Sequence, residues 1–169
     1  MSSGPFIGKY RGTVHDNVDP DRLGRIRAIV PSVTGNDEPS TWALPCLPAA
    51  GPGMGLFTVP QVGSAVWIEY EGGDPGYPIW AGGYWRKGEV PNLVPAESLL
   101  APTITLQTPN GNGIVVCDAA GKGMLVQSAS GAKLSISDQG VITIDNGRNA
   151  VIELDGISVN VNGDALTIA

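Results

Sequence analysis

From residue 103 to its end the chain contains no aromatic residue, and its aliphatic residues fall on every second position between Asn-Gly and Asp-Gly dipeptides. Period-two alternation is the pattern of a half-buried strand, and such dipeptides close tight turns. The spacing predicts short strands over 104–108, 113–117, 123–128, 132–137, 141–145, 150–155, 157–161 and 165–168. In the later ones Leu134 and Ile136, Ile142 and Ile144, Ile152 and Leu154, and Val159 and Val161 share one face. Ser135, Thr143, Glu153 and Asn160 point the other way.

A ribbon of this kind has nothing of its own to bury that face against. Full burial of one aliphatic side chain is worth roughly 1.5–3 kcal/mol. Ordering each residue costs about 1–2 kcal/mol of backbone entropy. A lone narrow sheet with one wet apolar face and two open edges is unstable and prone to aggregate. The remaining source of a core is further copies of the same chain. Three ribbons winding about a common axis turn their aliphatic faces inward, and the interior is then too narrow for aromatic rings. Residues 103–169 therefore predict an intertwined trimeric β-helix, or β-prism. Its core is Leu134, Ile136, Ile142, Ile144, Ile152, Leu154, Val159 and Val161. At about 4.8 Å per strand the rod is on the order of 40 Å long. The competing arrangements are half of a monomeric sandwich and a single-chain β-solenoid.

All four Trp, all four Tyr and both Phe lie before residue 89. Strands are predicted there over 7–18, 23–30, 41–47, 65–70 and 79–84, with a Gly-rich connection over 49–60. Five short strands with one long connection suit a small Greek-key barrel of the OB type. The chain thus reads as all-β, with an OB-fold domain over 1–88, a proline-rich linker over 89–102 with one short turn, and the spike over 103–169.

Charge and motifs exclude several function classes. The net charge is −6 and no basic cluster occurs, which disfavours nucleic-acid binding. No basic amphipathic helix, secretory leader or membrane-length apolar run is seen. Cys46 and Cys117 read as reduced, small apolar core residues of a protein made in a reducing cytosol. Asp16, Asp19 and Asp21 miss calcium-loop spacing and read as a polar turn before Gly24. His15 has no nucleophile motif to serve, and Glu69, Glu71 and Asp74 read as a solvated strand end. The glycines at 111–113 and 121–123 lack a following Lys-Ser/Thr and read as turns. Trp67, Trp80 and Trp85 read as core or interface packing. No enzyme activity, metal or cofactor is expected.

The order of motifs in the first half resembles a known family. The segment from Asp19 through Gly24, Arg25 and Ile26 is followed by Trp42 and then by Pro60, Val62, Gly63 and Val66. Glu71-Gly72-Gly73-Asp74-Pro75 and Pro78-Ile79 complete it. This resembles the OB domain of central spike proteins of contractile injection systems, the VgrG and phage baseplate assembly protein V family. In that family the next segment is a trimeric β-helical needle.

The resemblance implies a membrane-piercing spike at the centre of a phage, tailocin or related baseplate. Such a protein is assembled in the cytoplasm, docks on a trimeric hub and touches the target envelope transiently. Hub contacts are expected at Gly53, Met54, Leu56, Phe57, Asp74 and Tyr77. The apolar end, Leu166, Thr167, Ile168 and Ala169, suits capping by a PAAR-type tip protein. Some relatives insert a lysozyme domain before the needle, where this chain has only a short proline-rich stretch. Others hold iron in a His-x-His tip, whereas the one histidine here is His15. The rival reading is an OB-fold carbohydrate- or oligonucleotide-binding module with a trimerisation stalk.

Overall fold

Ile26, Ala28 and Val30 are completely buried, and so are Val66 and Ile68. These two alternating runs set the core of the first unit. In this computed structural model, which describes residues 4–163 and 165–168, the chain divides into two compact units, Met1–Glu89 and Val90–Ala169.

The first unit is built on β1 (Tyr10–Asp16), β2 (Arg27–Ile29), β3 (Leu44–Pro45), β6 (Ala65–Tyr70) and β7 (Pro78–Gly83). They form one sheet in the order β2-β1-β6-β7-β3, antiparallel except for the β3–β7 edge. Beyond β2, Ile26 bridges Ala43, and Ala43 leads directly into β3 at the opposite edge. The two edges of the sheet are thereby joined, as closure of a small barrel requires. This five-stranded sheet is consistent with the OB fold. Val14, Ile26, Ala28, Val30, Val66, Ile68, Tyr70 and Trp80 fill its interior. Gly12 lies so close to the Ile68 side chain that a Cβ there would sit 3.0 Å from Ile68 Cγ1. The Trp80 indole N–H is buried and donates to the Gly24 carbonyl at 3.0 Å.

Three readings of this half change. The strand expected from residue 23 begins only at Arg27, and Leu23 is exposed. Its backbone N–H is drawn into a turn around Asp19 instead. A four-residue helix, α1 (Pro31–Thr34), follows β2, and a two-strand hairpin, β4 (Ala50–Gly51) with β5 (Met54–Gly55), sits in the Gly-rich connection. Cys46 is exposed rather than in the core. Alternation through 43–47 turns Ala43 inward and Leu44 and Cys46 outward, while the Cys46 N–H donates to the Trp80 carbonyl at 2.9 Å. Cys117 is buried, as read.

The second unit is a single antiparallel meander. Its strands are β8 (Thr103–Gln107), β9 (Gly113–Cys117), β10 (Gly123–Gln127), β11 (Lys133–Ser137), β12 (Ile142–Asp145), β13 (Val151–Asp155), β14 (Ser158–Val161) and β15 (Leu166–Ile168). They pair in strict sequence order. All eight predicted strands are found. The proline-rich segment carries the short turn expected in it and lies against the sheet that follows. It contains a 3-10 turn at Ala96–Leu99, and the Leu93 N–H donates to Gln107 Oε1 at 2.7 Å. Glu97 pairs with Lys122 at 3.4 Å. Leu93 lies close against Gly113, and on the same face Val115 and Cys117 are buried.

Candidate functional site

The meander brings its aliphatic residues into two straight columns. The register sets Leu106 beside Ile114, Ile114 beside Val126, and Val126 beside Leu134. Leu134 then faces Ile144, Ile144 faces Ile152, and Ile152 faces Val161. The second column runs Ile104, Val116, Met124, Ile136, Ile142, Leu154 and Val159. Because side chains alternate across a strand, both columns lie on one face.

All eight residues expected to form the spike core are brought together on that face. Ile104, Leu106, Ile114, Val116, Met124 and Val126, outside the expected core, extend that face toward β8. The same alternation identifies them. Leu134, Ile136, Ile144, Ile152 and Leu154 are exposed, and Ile142, Val159 and Val161 are half-buried. Packed aliphatics in a finished core are not left in this state. A contiguous apolar face of this length marks an interaction surface.

The opposite face is polar toward the end of the meander. Thr143 pairs with Glu153 and Asp145 lies opposite Lys133, their charged ends 3.5 Å apart. The two faces therefore have opposite chemistry.

In the first unit the residues expected to meet a hub fall in two places. Gly53, Met54, Leu56 and Phe57 lie on and after the β4–β5 hairpin, where Met54 and Phe57 are largely exposed. Asp74 and Tyr77 belong to the turn between β6 and β7, with the Tyr77 N–H donating to Asp74 O at 3.0 Å. Thr41 Oγ1 ties that turn down by donating to Gly76 O at 3.0 Å. Of the tip residues, Leu166 is exposed on β15, whose backbone pairs with β14. Thr167 and Ile168 share that strand, and Ala169 lies outside the described residues.

The Asp19–Arg25 motif has a structural purpose. The Asp19 carboxylate receives the backbone N–H groups of Asp21, Leu23 and Arg25 and both Nε and Nη2 of Arg25. The Arg25 guanidinium, foremost, and these N–H groups hold its carboxyl far below the ordinary carboxylate range. Arg25 also contacts Asp21 and lies over the Trp42 ring, 5.6 Å from its centroid. Gly24 sits at φ +76°, and a Cβ there would meet Phe57 Cε2 at 3.3 Å, so this close approach selects glycine. Asp19, Gly24, Arg25 and Trp42 thus lie together, with one edge of the largely exposed Phe57 ring against Gly24.

The remaining candidates are dispersed. His15 is exposed on β1, and Glu69 pairs with Lys9. Among the described residues no group of three His, Cys, Asp or Glu could hold a metal ion. Trp80 is core and Trp85 is exposed. Trp67 stacks on Tyr84 with centroids 4.7 Å apart, and Arg11 lies 5.7 Å and 5.5 Å from the two rings. No helix among the described residues is long and apolar enough to cross a membrane.

Similarity to known proteins falls on these two units. Residues 10–85 match the type VI secretion system/phage-baseplate injector OB domain. Residues 103–167 match the phage baseplate V C-terminal trimerisation domain. The chain is 27% identical over 113 residues to the actin cross-linking toxin VgrG1 of Vibrio cholerae, covering 65% of this chain and 10% of that protein. It is 29% identical over 106 residues to the type VI secretion system spike protein VgrG4b of Pseudomonas aeruginosa, covering 60% of this chain and 13% of that protein. The chain therefore spans about a tenth of the length of these curated relatives. With an injector OB domain followed by a baseplate trimerisation domain in the same order, the chain belongs to the family of central baseplate spike proteins of contractile injection systems.

Proposed function

We propose that this chain is a non-enzymatic, homotrimeric spike of a contractile injection machine. Three meanders pack their aliphatic columns about a threefold axis and wind into an intertwined β-helical needle over 103–169. Leu134, Ile136, Ile142, Ile144, Ile152, Leu154, Val159 and Val161 form its core. The observation that carries this is the uninterrupted aliphatic face, uncovered in one chain and lying within the segment that matches a trimerisation domain.

The mechanism is mechanical. A shaft under axial load resists bending when deflection must break many ladder hydrogen bonds together. Consecutive strands of three to five residues across the axis give that arrangement, and an interior without aromatic rings keeps the shaft narrow. The OB-fold domain over 1–88 docks on a trimeric hub. Met54, Leu56 and Phe57 on its hairpin, and Asp74 and Tyr77 on its β6–β7 turn, are the contact surface. The short stretch over 89–102 connects it to the needle. Leu166 and the residues after it receive a PAAR-type tip protein. Assembly in the cytoplasm and transient contact with the target envelope complete the reading.

Sizing the purified protein in solution tests it. A mass three times that of the chain supports the spike. A folded monomer removes it. The rival carbohydrate- or oligonucleotide-binding reading gains little support. Trp67 and Tyr84 stack on one another beside Arg11, which occupies ring surface that a base or sugar needs.

A further inference from the structure

Leu99 and Leu100 are each 91% exposed, the most exposed large aliphatic residues described in the chain. They are not on a loose end. The Leu100 N–H donates to Glu97 O at 2.8 Å, and the Ala101 N–H reaches the same carbonyl at 3.1 Å. Glu97 is tied to Lys122, and Leu93 to Gln107, so the turn is anchored to the sheet that follows it. Two adjacent leucines held in water by an ordered turn need a partner surface.

A matching deficit begins four residues on. Ile104 and Leu106, on β8, are 68% and 57% exposed, above the 50% and 47% of Met124 and Val126 further along the same columns. The reason is topological. β8 ends the meander, so among the described residues no further strand of the sheet flanks its two aliphatics on the outer side. When three faces pack about an axis, the terminal layer stays open to water at that end unless something closes it.

We infer that Leu99 and Leu100 pack on a second copy of this chain and seal the β8 end of the shared interior against its Ile104 and Leu106. The occupant is a copy of this chain because Leu100 lies only three residues before the segment that matches a trimerisation domain, so the leucines continue that segment's own apolar face. This inference rests on the trimer reading and adds a boundary to it: the subunit interface starts at the 3-10 turn before the first strand.

Hydroxyl-radical footprinting of the full-length protein tests it, with solution mass measured first. In the intact trimer, Leu99 and Leu100 are expected to lose their labelling relative to the urea-unfolded chain, as Leu134 does. Labelling of both at the unfolded rate in a confirmed trimer overturns the seal and leaves the trimer standing. A monomeric wild type overturns both. The double variant Leu99→Asn/Leu100→Asn gives an independent readout. Labelling at Ile104 and Leu106 should rise several-fold while Leu134 and Ile144 stay protected. Loss of the trimer with a retained β spectrum also supports the seal. Unchanged protection at Ile104 and Leu106 contradicts it.

Discussion

The Asp19 carboxylate and the Arg25 guanidinium meet at 2.6 Å and 3.0 Å, and the same carboxylate gathers three backbone N–H groups of the intervening turn. One side chain thus fixes the path from β1 into the buried run Ile26, Ala28 and Val30. Asp19→Asn keeps the shape but loses the charge that makes these bonds strong. The barrel's thermal midpoint should fall by several degrees in calorimetry, and Arg25→Lys should not preserve the wild-type value, because lysine cannot present the two-nitrogen fork.

The same pair dictates a pH dependence. Asp19 titrates far below the ordinary range in the folded state, whereas an unfolded aspartate titrates near about 3.9. Its stabilising contribution is complete above that value. It is lost as the pH falls below about 4, where the unfolded chain takes up a proton and the folded one does not. Urea titrations between pH 6 and pH 3 should show this acid limb in the wild type and a flatter limb in Asp19→Asn.

The two faces of the meander should respond oppositely to charge. Ile144 lies between Leu134 and Ile152 on the aliphatic face. Ile144→Asp removes roughly 1.5–3 kcal/mol of apolar burial per copy and adds a carboxylate with no partner, so the trimer should dissociate. Its neighbour Thr143 faces the other way, opposite Glu153. Thr143→Lys should leave the trimer intact and gain a cross-strand ion pair. Sedimentation velocity of the two variants separates these outcomes.

Gly123 opens β10 at φ +129°, where an added Cβ would run into the Ile136 carbonyl oxygen of the paired strand. Gly123→Ala must strain the backbone or part the two strands. A loss of at least about 1–3 kcal/mol per chain is expected, read as a lower melting temperature of the shaft.

Ile68 is fully buried in the barrel and crowds Gly12. Ile68→Ala should cost about 2–5 kcal/mol of barrel stability. If the shaft assembles through its own face, the solution mass of this variant stays that of the wild type while the near-ultraviolet signal of the barrel aromatics is lost earlier on heating.

The shaft was legible because its residues obey one rule throughout. Alternation alone located all eight strands and put Leu134, Ile136, Ile142, Ile144, Ile152, Leu154, Val159 and Val161 on one face. The barrel was less so. Leu23 fits the period-two run into Ile26, but the demand of Asp19 for its N–H overrides the pattern, as a local side-chain-to-backbone bond can. Cys46 looked apolar and small, yet its direction is set by the parallel pairing of Leu44 with Ile79 beside it. The segment after residue 89 has the prolines of a linker. What holds it down includes the bond from Leu93 to Gln107, the Asp118 N–H donating to the Pro102 carbonyl and the contact of Glu97 with Lys122, long-range pairs that no local pattern announces.

The number of chains in the particle decides the account most directly. Multi-angle light scattering of the full-length protein at micromolar concentration should give three chain masses, unchanged on tenfold dilution. One chain mass, with a folded β spectrum and a single cooperative melt, would contradict it.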